Sequence, residues 1–205
     1  MVAISELNDD LLGHILKWVS DPGDRKRVSE VCKLWSTVEG LTRTSLTLLR
    51  LSRLRQVLPR FPNLVSFQTS GPYFEEADLV FIAQTCPKLE TNDLSTAQHG
   101  TGDVDDYALE AIGLVCICWI YLNLELCGVS DNGLGFLAQE RCTKTLNTLV
   151  LADCKGITDL GLSHLQNFRF LEELNLKGCC VTDTGVISAI SPDLSRSILQ
   201  EVELG

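Results

Sequence analysis

Basic residues are scarce beyond position 60, and long apolar runs are missing throughout the 205-residue chain. Residues 61–205 hold 7 Lys and Arg against 20 Asp and Glu, whereas residues 1–60 hold 10 against 7. So acidic a C-terminal region gathers no phosphate backbones, and nucleic acid is not expected as a partner. The longest apolar run, 111–122 counting Gly113, has 12 residues. A membrane-spanning helix needs roughly 18, so no membrane insertion is expected. Glu6, Asp9 and Asp10 stand where a secretory leader would carry basic residues and then an apolar core. The chain is therefore expected in the reducing cytoplasm, the nucleus or both. With 45% hydrophobic and 21% charged residues, 15 Gly and 6 Pro, it is too apolar for disorder and too varied for low complexity.

Chemistry-bearing patterns are equally sparse. His14, His99 and His164 are isolated from one another and from any Cys or Ser partner, which leaves no arrangement for nucleophilic catalysis. Gly100-Thr-Gly102 lacks the Lys-Ser/Thr that follows a phosphate-binding loop. Nine cysteines in a reducing compartment read as buried thiols or metal ligands, not as a disulfide framework. Cys116-x-Cys118 and Cys179-Cys180 do not have the paired spacing of a zinc site. No catalytic residue, metal or cofactor is expected.

What the chain does have is internal repetition. The spacing Leu-x-x-Leu-x-Leu recurs as Leu64/Phe67/Thr69, Leu89/Asn92/Leu94, Trp119/Leu122/Leu124, Leu146/Leu149/Leu151, Leu171/Leu174/Leu176 and Leu199/Val202/Leu204. Phe61, Cys86, Cys116, Cys142 and Phe168 precede the first five segments as apolar anchors. An acid follows each of the first five segments, at Glu76, Asp106, Asp131, Asp159 and Asp183, three residues before an apolar position. That is helix N-cap spacing, which predicts a carboxylate accepting from the first-turn amides. A Gly stands two residues after three of these acids, at Gly133, Gly161 and Gly185. Each unit reads as a short strand, a turn and a returning helix. Cys127, Cys154 and Cys179 follow the strand segments by three residues, and with them the units resemble the cysteine-containing leucine-rich repeats. The resemblance runs over about 61–205 and implies a curved solenoid with one parallel sheet and one continuous core. Asn92 replaces a strand Leu, and 95–103 is irregular. The last strand segment ends at the chain terminus, so an apparently truncated array is expected.

The first 45 residues have a helical period instead. Leu11, Leu12, Ile15, Leu16 and Val19 follow Asn8-Asp9-Asp10 as a capped amphipathic helix that stops near Asp21-Pro22-Gly23. Asp24 is expected to cap a second helix carrying Val28, Val31, Cys32, Trp35 and Val38 on one face, with Gly40 as the stop. Two or three short helices bury little, so the module should lean on its neighbour. Ile4-Ser-Glu-Leu-Asn-Asp-Asp-Leu-Leu-Gly-His-Ile-Leu16, followed by Asp24-Arg25 and Val28-Ser-Glu-Val-Cys-Lys-Leu-Trp35, resembles an F-box, with Asn8 in place of the usual Pro.

An F-box at 1–45, a connecting segment at 46–60 and repeats at 61–205 make the chain resemble the leucine-rich repeat F-box proteins. That implies an α/β fold and a non-catalytic role as the substrate-recognition subunit of an SCF-type cullin-RING E3 ubiquitin ligase. Its partners would be a Skp-type adaptor, through it a cullin, and a protein substrate of unknown identity. Leu7, Leu11, Leu12, Ile15, Val28, Cys32 and Trp35 are then adaptor contacts or the module's own core; amphipathic spacing alone does not separate the two. Substrate is expected on the concave strand face, where the candidates are Gln68, Asp93, Asn123, Glu125, Val150, Asn175, Lys177 and Glu203, each alternatively an ordinary solvated strand residue. The acid excess favours a basic substrate. The competing reading is a non-ligase scaffold or a truncated regulatory isoform.

Overall fold

A computed structural model describes residues 7–69, 76–94, 104–115, 118–139, 142–189 and 201–203. Three helices come first: α1 (Asp9–Leu16), α2 (Pro22–Ser29) and α3 (Lys33–Thr42). The Asn8 side chain accepts from the Leu11 amide and so starts α1 as expected. The second segment differs from expectation. Asp21, not Asp24, caps α2, with Pro22 at the first helical position, and the chain breaks before α3 at Cys32, whose backbone is extended. Val28 and Trp35 therefore lie on different helices. Leu12, Leu16 and Val38 form a small core, with Val19, Val28 and Trp35 packed around it.

Gly40 does not stop α3, which continues to Thr42. A Cβ there would come within 2.4 Å of the Arg60 carbonyl oxygen, so the Gly marks the place where backbone meets backbone. Around it Arg60 donates to Ser36 Oγ at 2.9 Å and Asn63 donates to the Leu41 carbonyl at 2.9 Å. The guanidinium groups of Arg43 and Arg60 each sit 5.3 Å from the centre of the Phe61 ring. The buried Glu39 carboxylate pairs with Arg43 at 2.6 Å and with Arg25 at 3.6 Å. Arg25 also donates to the carbonyls of Leu16 and Val19 at 2.6 and 2.8 Å, closing the C-terminal end of α1. The helical module is thereby fixed to the repeats through polar groups that the short apolar core does not supply.

The sheet starts earlier than the repeat spacing suggests. β1 (Ser45–Leu48) pairs with β2 (Ser66–Thr69), and β3 (Thr91–Asp93), β4 (Tyr121–Asn123), β5 (Thr148–Val150), β6 (Glu173–Asn175) and β7 (Glu201–Glu203) follow in chain order, all parallel. Residues 46–60, read from sequence as a connector, instead hold most of β1 and the short helix α4 (Leu54–Val57), a first repeat in atypical sequence. The returning helices are α5 (Glu76–Thr85), α6 (Asp106–Val115), α7 (Asp131–Leu137), α8 (Asp159–Leu162) and α9 (Asp183–Ala189). One core runs from Leu54 to Ala189 between strands and helices. The anchors Phe61, Cys86, Cys142 and Phe168 are buried in it, while Cys116 and Leu199 lie outside the described residues. Asn92 occupies a core position with both carboxamide atoms unpartnered among the described residues, a burden of about 1–3 kcal/mol.

Asp106, Asp131 and Asp159 are not the caps of their own helices. Ser130 and Thr158 cap α7 and α8, and Asp105 accepts from the Tyr107 and Ala108 amides at the start of α6. Asp106, Asp131 and Asp159 instead reach forward to the next repeat. Asp131 accepts from Thr158 N at 2.8 Å and from Thr158 Oγ1 at 2.6 Å; Asp159 does the same with Thr182 at 2.8 and 2.7 Å. Asp106 bridges to Ser130 in the same way. The hydroxyl is a donor to the carboxylate and, from its lone pair, the acceptor for its own helix, at 3.2 Å from Leu160 N for Thr158. The recurring Gly makes room for this bridge: a Cβ on Gly133, Gly161 or Gly185 would lie 2.3, 2.2 or 2.0 Å from the carboxylate oxygen of Asp106, Asp131 or Asp159.

Two consequences are measurable. Asp131→Ala and Gly161→Ala should each lower unfolding stability by about 2 kcal/mol. The double variant should lose about 1 kcal/mol less than the sum, because removing the carboxylate opens the space the new methyl needs; full additivity in denaturant titration would refute the coupling. Bonds from the Thr182 backbone and hydroxyl hold the Asp159 carboxyl below its ordinary value. Its folded value being depressed, its contribution is present above the unfolded carboxyl pKa of about 4 and is lost as the pH falls through the lower folded value. Acid titration of Asp159→Asn should therefore show a smaller loss of stability below about pH 4 than the parent chain.

Candidate functional site

Two surfaces gather the expected residues. On the helical module, Leu12 is in the core and Val28 and Trp35 are partly covered against it, so these three support the surface more than they form it. Leu7 is half-exposed, whereas Leu11, Ile15 and Cys32 are exposed. Leu11 and Ile15 keep 57% and 51% of their surface in solvent. Trp18, one turn on, keeps 88%, and Val31 and Leu34 are exposed at the α2–α3 corner. Leu11 and Ile15 stand one turn apart on α1, and Trp18, in the turn just past its end, continues their spacing at i+7. Sequence reasoning singled out Leu11 and Ile15 but not Trp18, which falls past the end of α1 at the next position of the same spacing. An unburied stripe of this size on so small a module is the signature of a surface made for a partner.

The second surface is the concave sheet. β3, β5 and β6 each bury the central residue and turn its neighbours outward, as in Thr91 and Asp93 around Asn92 or Thr148 and Val150 around Leu149. Register places Asp93, Asn123, Val150, Asn175 and Glu203 side by side across β3–β7. Gln68 is exposed on β2. Asn123 is buried, and its side chain accepts from the Glu125 amide at 2.9 Å; Asn175 likewise accepts from the Lys177 amide at 3.0 Å. These two asparagines thus shape the turns that carry Glu125 and Lys177. The side chain of Glu203 is outside the described part.

A second row lies beside the first and was not singled out from the sequence: Ser66, Thr91, Tyr121, Thr148, Glu173 and Glu201. The residue before each central strand position points outward as much as the residue after it, so the alternation that found one row contained the other. Burial, and then the carboxylate of Asp93, push the Tyr121 phenol up; a hydrogen bond with Asn123 opposes this, and Glu125 and Glu173 add to it. Thr148 Oγ1 donates to Glu173 at 3.0 Å. At the rim, Leu126 takes a φ of 61°, a left-handed conformation that Asp153 and Gly178 occupy in the following repeats. It costs a leucine about 1–2 kcal/mol.

The thiols serve the repeats. Cys127, Cys154 and Cys179 donate to the carbonyls of Leu94, Leu124 and Leu151 at 3.4, 3.1 and 3.1 Å, one repeat back in each case. Burial pushes Cys86, Cys142 and Cys179 up to about 11 and Cys154 up to about 12. Such thiols are protonated at neutral pH and are poor nucleophiles. Among the described residues no group of His, Cys, Asp and Glu is arranged to hold a metal ion. Also among them, no helix is long and apolar enough to cross a membrane. A disulfide-exchange reagent at pH 7.5 should label the exposed Cys32 and Cys180 while Cys86, Cys142 and Cys154 react only on unfolding; prompt labelling of Cys154 would contradict the burial described.

Comparison with known proteins agrees with the order of the two modules. An F-box family model matches residues 4–45, and a leucine-rich repeat model matches residues 144–165 and 169–188. A transport inhibitor response 1-like protein of Oryza sativa subsp. japonica is 30% identical over 180 residues. The coronatine-insensitive protein homolog 1b of the same organism is 28% identical over 180 residues. The matches cover 85% and 86% of this chain but only 27% of each relative, so the chain spans about a quarter of their length. Among solved structures, the complex of Rad7 and Elc1 in yeast contains a chain similar in fold, with a TM-score of 0.51 at 13% identity, covering 90% of this chain and 57% of that one.

Proposed function

We propose, from the premise that the chain is a leucine-rich repeat F-box protein, that it is a substrate receptor of an SCF-type cullin-RING ubiquitin ligase. The F-box would bind a Skp-type adaptor and through it a cullin, and the concave sheet would hold a protein substrate. The chain itself performs no chemistry in this reading. It would act in the cytoplasm, the nucleus or both.

The observation that carries the reading is the outward pair Leu11 and Ile15 on α1, continued by Trp18 just past its end, with Cys32, Val31 and Leu34 at the neighbouring corner. A helix that presents large apolar side chains at helical spacing is built to lie against an apolar partner surface. Leu7 stands half-exposed just ahead of the stripe, and Leu12, Val28 and Trp35 hold it from beneath. The polar junction at Gly40 and Arg60 then transmits the position of the adaptor to the solenoid without a flexible linker. For a subunit whose task is to hold one protein at a fixed distance from an enzyme bound elsewhere, that rigidity is what function requires.

The test is co-expression with a Skp-type adaptor. The parent chain should co-purify with it. Leu11→Ala and Trp18→Ala should each weaken the complex about tenfold to a hundredfold with unchanged thermal stability, since both side chains are solvent-exposed in the free chain. Leu12→Ala should instead lower stability by about 2–5 kcal/mol. A folded parent chain that does not bind the adaptor would overturn the proposal and leave an interaction scaffold.

A further inference from the structure

The joints between repeats are not equal. From β3–α6 onward each joint to the next repeat is fastened three times on the side where strands end and helices begin. The strand register holds three residue pairs, a carboxylate bridges to Ser130, Thr158 or Thr182, and the thiol of Cys127, Cys154 or Cys179 is bonded one repeat back. The joint before them, between β2–α5 and β3–α6, is built differently. Its register holds two pairs and stops at Phe67 and Asn92. Asp105 stands where the later repeats place the hydroxyl, and a carboxylate has no proton to donate. It accepts instead from the Tyr107 and Ala108 amides of its own helix at 3.0 and 3.1 Å. Three residues on, where Gly133, Gly161 and Gly185 leave room for the bridging carboxylate, the buried Ala108 fills the space. Three residues after Leu94, at the place of the bonded Cys, the sequence has Ala97.

The other edge of this joint is held. The Glu90 and Thr91 amides both donate to the Val65 carbonyl, at 2.8 and 3.0 Å, Lys88 donates to Asn63 at 2.8 Å, and the Cys86 thiol donates to the Phe61 carbonyl at 3.5 Å. Beyond that edge lies the Asn92 carboxamide, buried and with both atoms unpartnered among the described residues. A buried amide without a partner gains hydrogen bonds as soon as water reaches it, so it favours opening.

We propose that this joint is a hinge built into the solenoid. At rest it is closed, in the arrangement described above; it opens where the strands end, about the edge held by Phe61, Asn63 and Val65. A folded chain opens first where the fewest contacts have to break. The repeats from β3–α6 onward then turn as one body against the body formed by the helical module, β1 and β2. Opening widens the concave face between β2 and β3 and leaves the rows along β3–β6 as they are. The hinge thus gives a sheet of otherwise locked register one place at which its curvature changes. This inference is independent of the receptor reading.

Residue-resolved native-state amide exchange of the full chain tests it. Thr91, Tyr121 and Thr148 each donate one strand back, so the amides two residues on, at Asp93, Asn123 and Val150, face the same way across successive joints. The protection factor at Asp93 should lie about tenfold or more below those at Asn123 and Val150. Asn92→Leu should raise it about tenfold and leave Val150 unchanged. The combined variant Glu76→Asp, Asp105→Thr and Ala108→Gly, which writes the later bridge into this joint, should raise it about threefold to tenfold. A disulfide-exchange reagent added under the same conditions should label Cys86 no faster than Cys142, because the held edge stays closed. Equal protection at the three amides would overturn the inference, as would a value at Asp93 that neither variant raises. Labelling of Cys86 ahead of Cys142 would overturn it too, since the repeat would then be unfolding as a whole and not turning on its edge.

Discussion

The carboxylate that leaves one repeat to satisfy the helix start of the next is the contact on which the solenoid depends. No unit of this size covers its own apolar face, so its stability is decided at the interface with its neighbour. Hydrophobic burial supplies the larger energy there but is indifferent to small shifts along the stack. The Asp bridge is not: it asks for a Ser or Thr at one place, for no side chain two residues after the next acid, and for a backbone amide at 2.7–2.8 Å. Three successive repeats meet the same demand, and with the Cys thiols bonded one repeat back they fix the register of each repeat on the next. A concave face with defined rows follows from that register.

The same logic operates where the helical module meets the repeats. The core of α1–α3 is small: Arg25, Glu39 and Arg43 tie its helices together, and Arg43 and Arg60, stacked on Phe61 with Arg60 on Ser36, orient it on the repeats, all drawn from the first 60 residues. A buried carboxylate shared by two guanidinium groups is directional in a way that Leu12 and Leu16 are not. The charge asymmetry of the chain therefore has two meanings: bases near the start are partly consumed in joining the modules, and acids near the end are partly left on the sheet.

Much of the fold was legible because its two periods are so different. Helical spacing marked the first 45 residues and strand spacing marked the repeats, and the resulting order of F-box and leucine-rich repeats holds in the structure and in the family matches. Finer features were hidden for physical reasons. β1 lacks the Leu-x-x-Leu-x-Leu spacing, since the first repeat packs against α3 and needs less apolar surface of its own. The break at Cys32 was invisible because apolar residues continue through it, and Gly40 looked like a helix stop because a tight backbone contact and a stop both ask for Gly. The repeated Asp was assigned to its own helix because the spacing is compatible with a cap; only coordinates reveal that it points to the following repeat. Of the candidate contacts, Leu12 and Asn123 are buried, whereas Trp18 extends the outward spacing of Leu11 and Ile15 past the end of their helix and Tyr121 belongs to the row beside the one the pattern picked out.

The central claim is that one chain offers two independent docking faces held in fixed relation. Amide hydrogen exchange of the full chain, first alone and then with saturating Skp-type adaptor, tests it most directly. The account predicts slowed exchange over residues 9–18 and 31–35, with exchange across β3–β6 unchanged, since the sheet face remains open to a substrate. Protection spread over the strands, or none over α1 while the adaptor is bound, would contradict it.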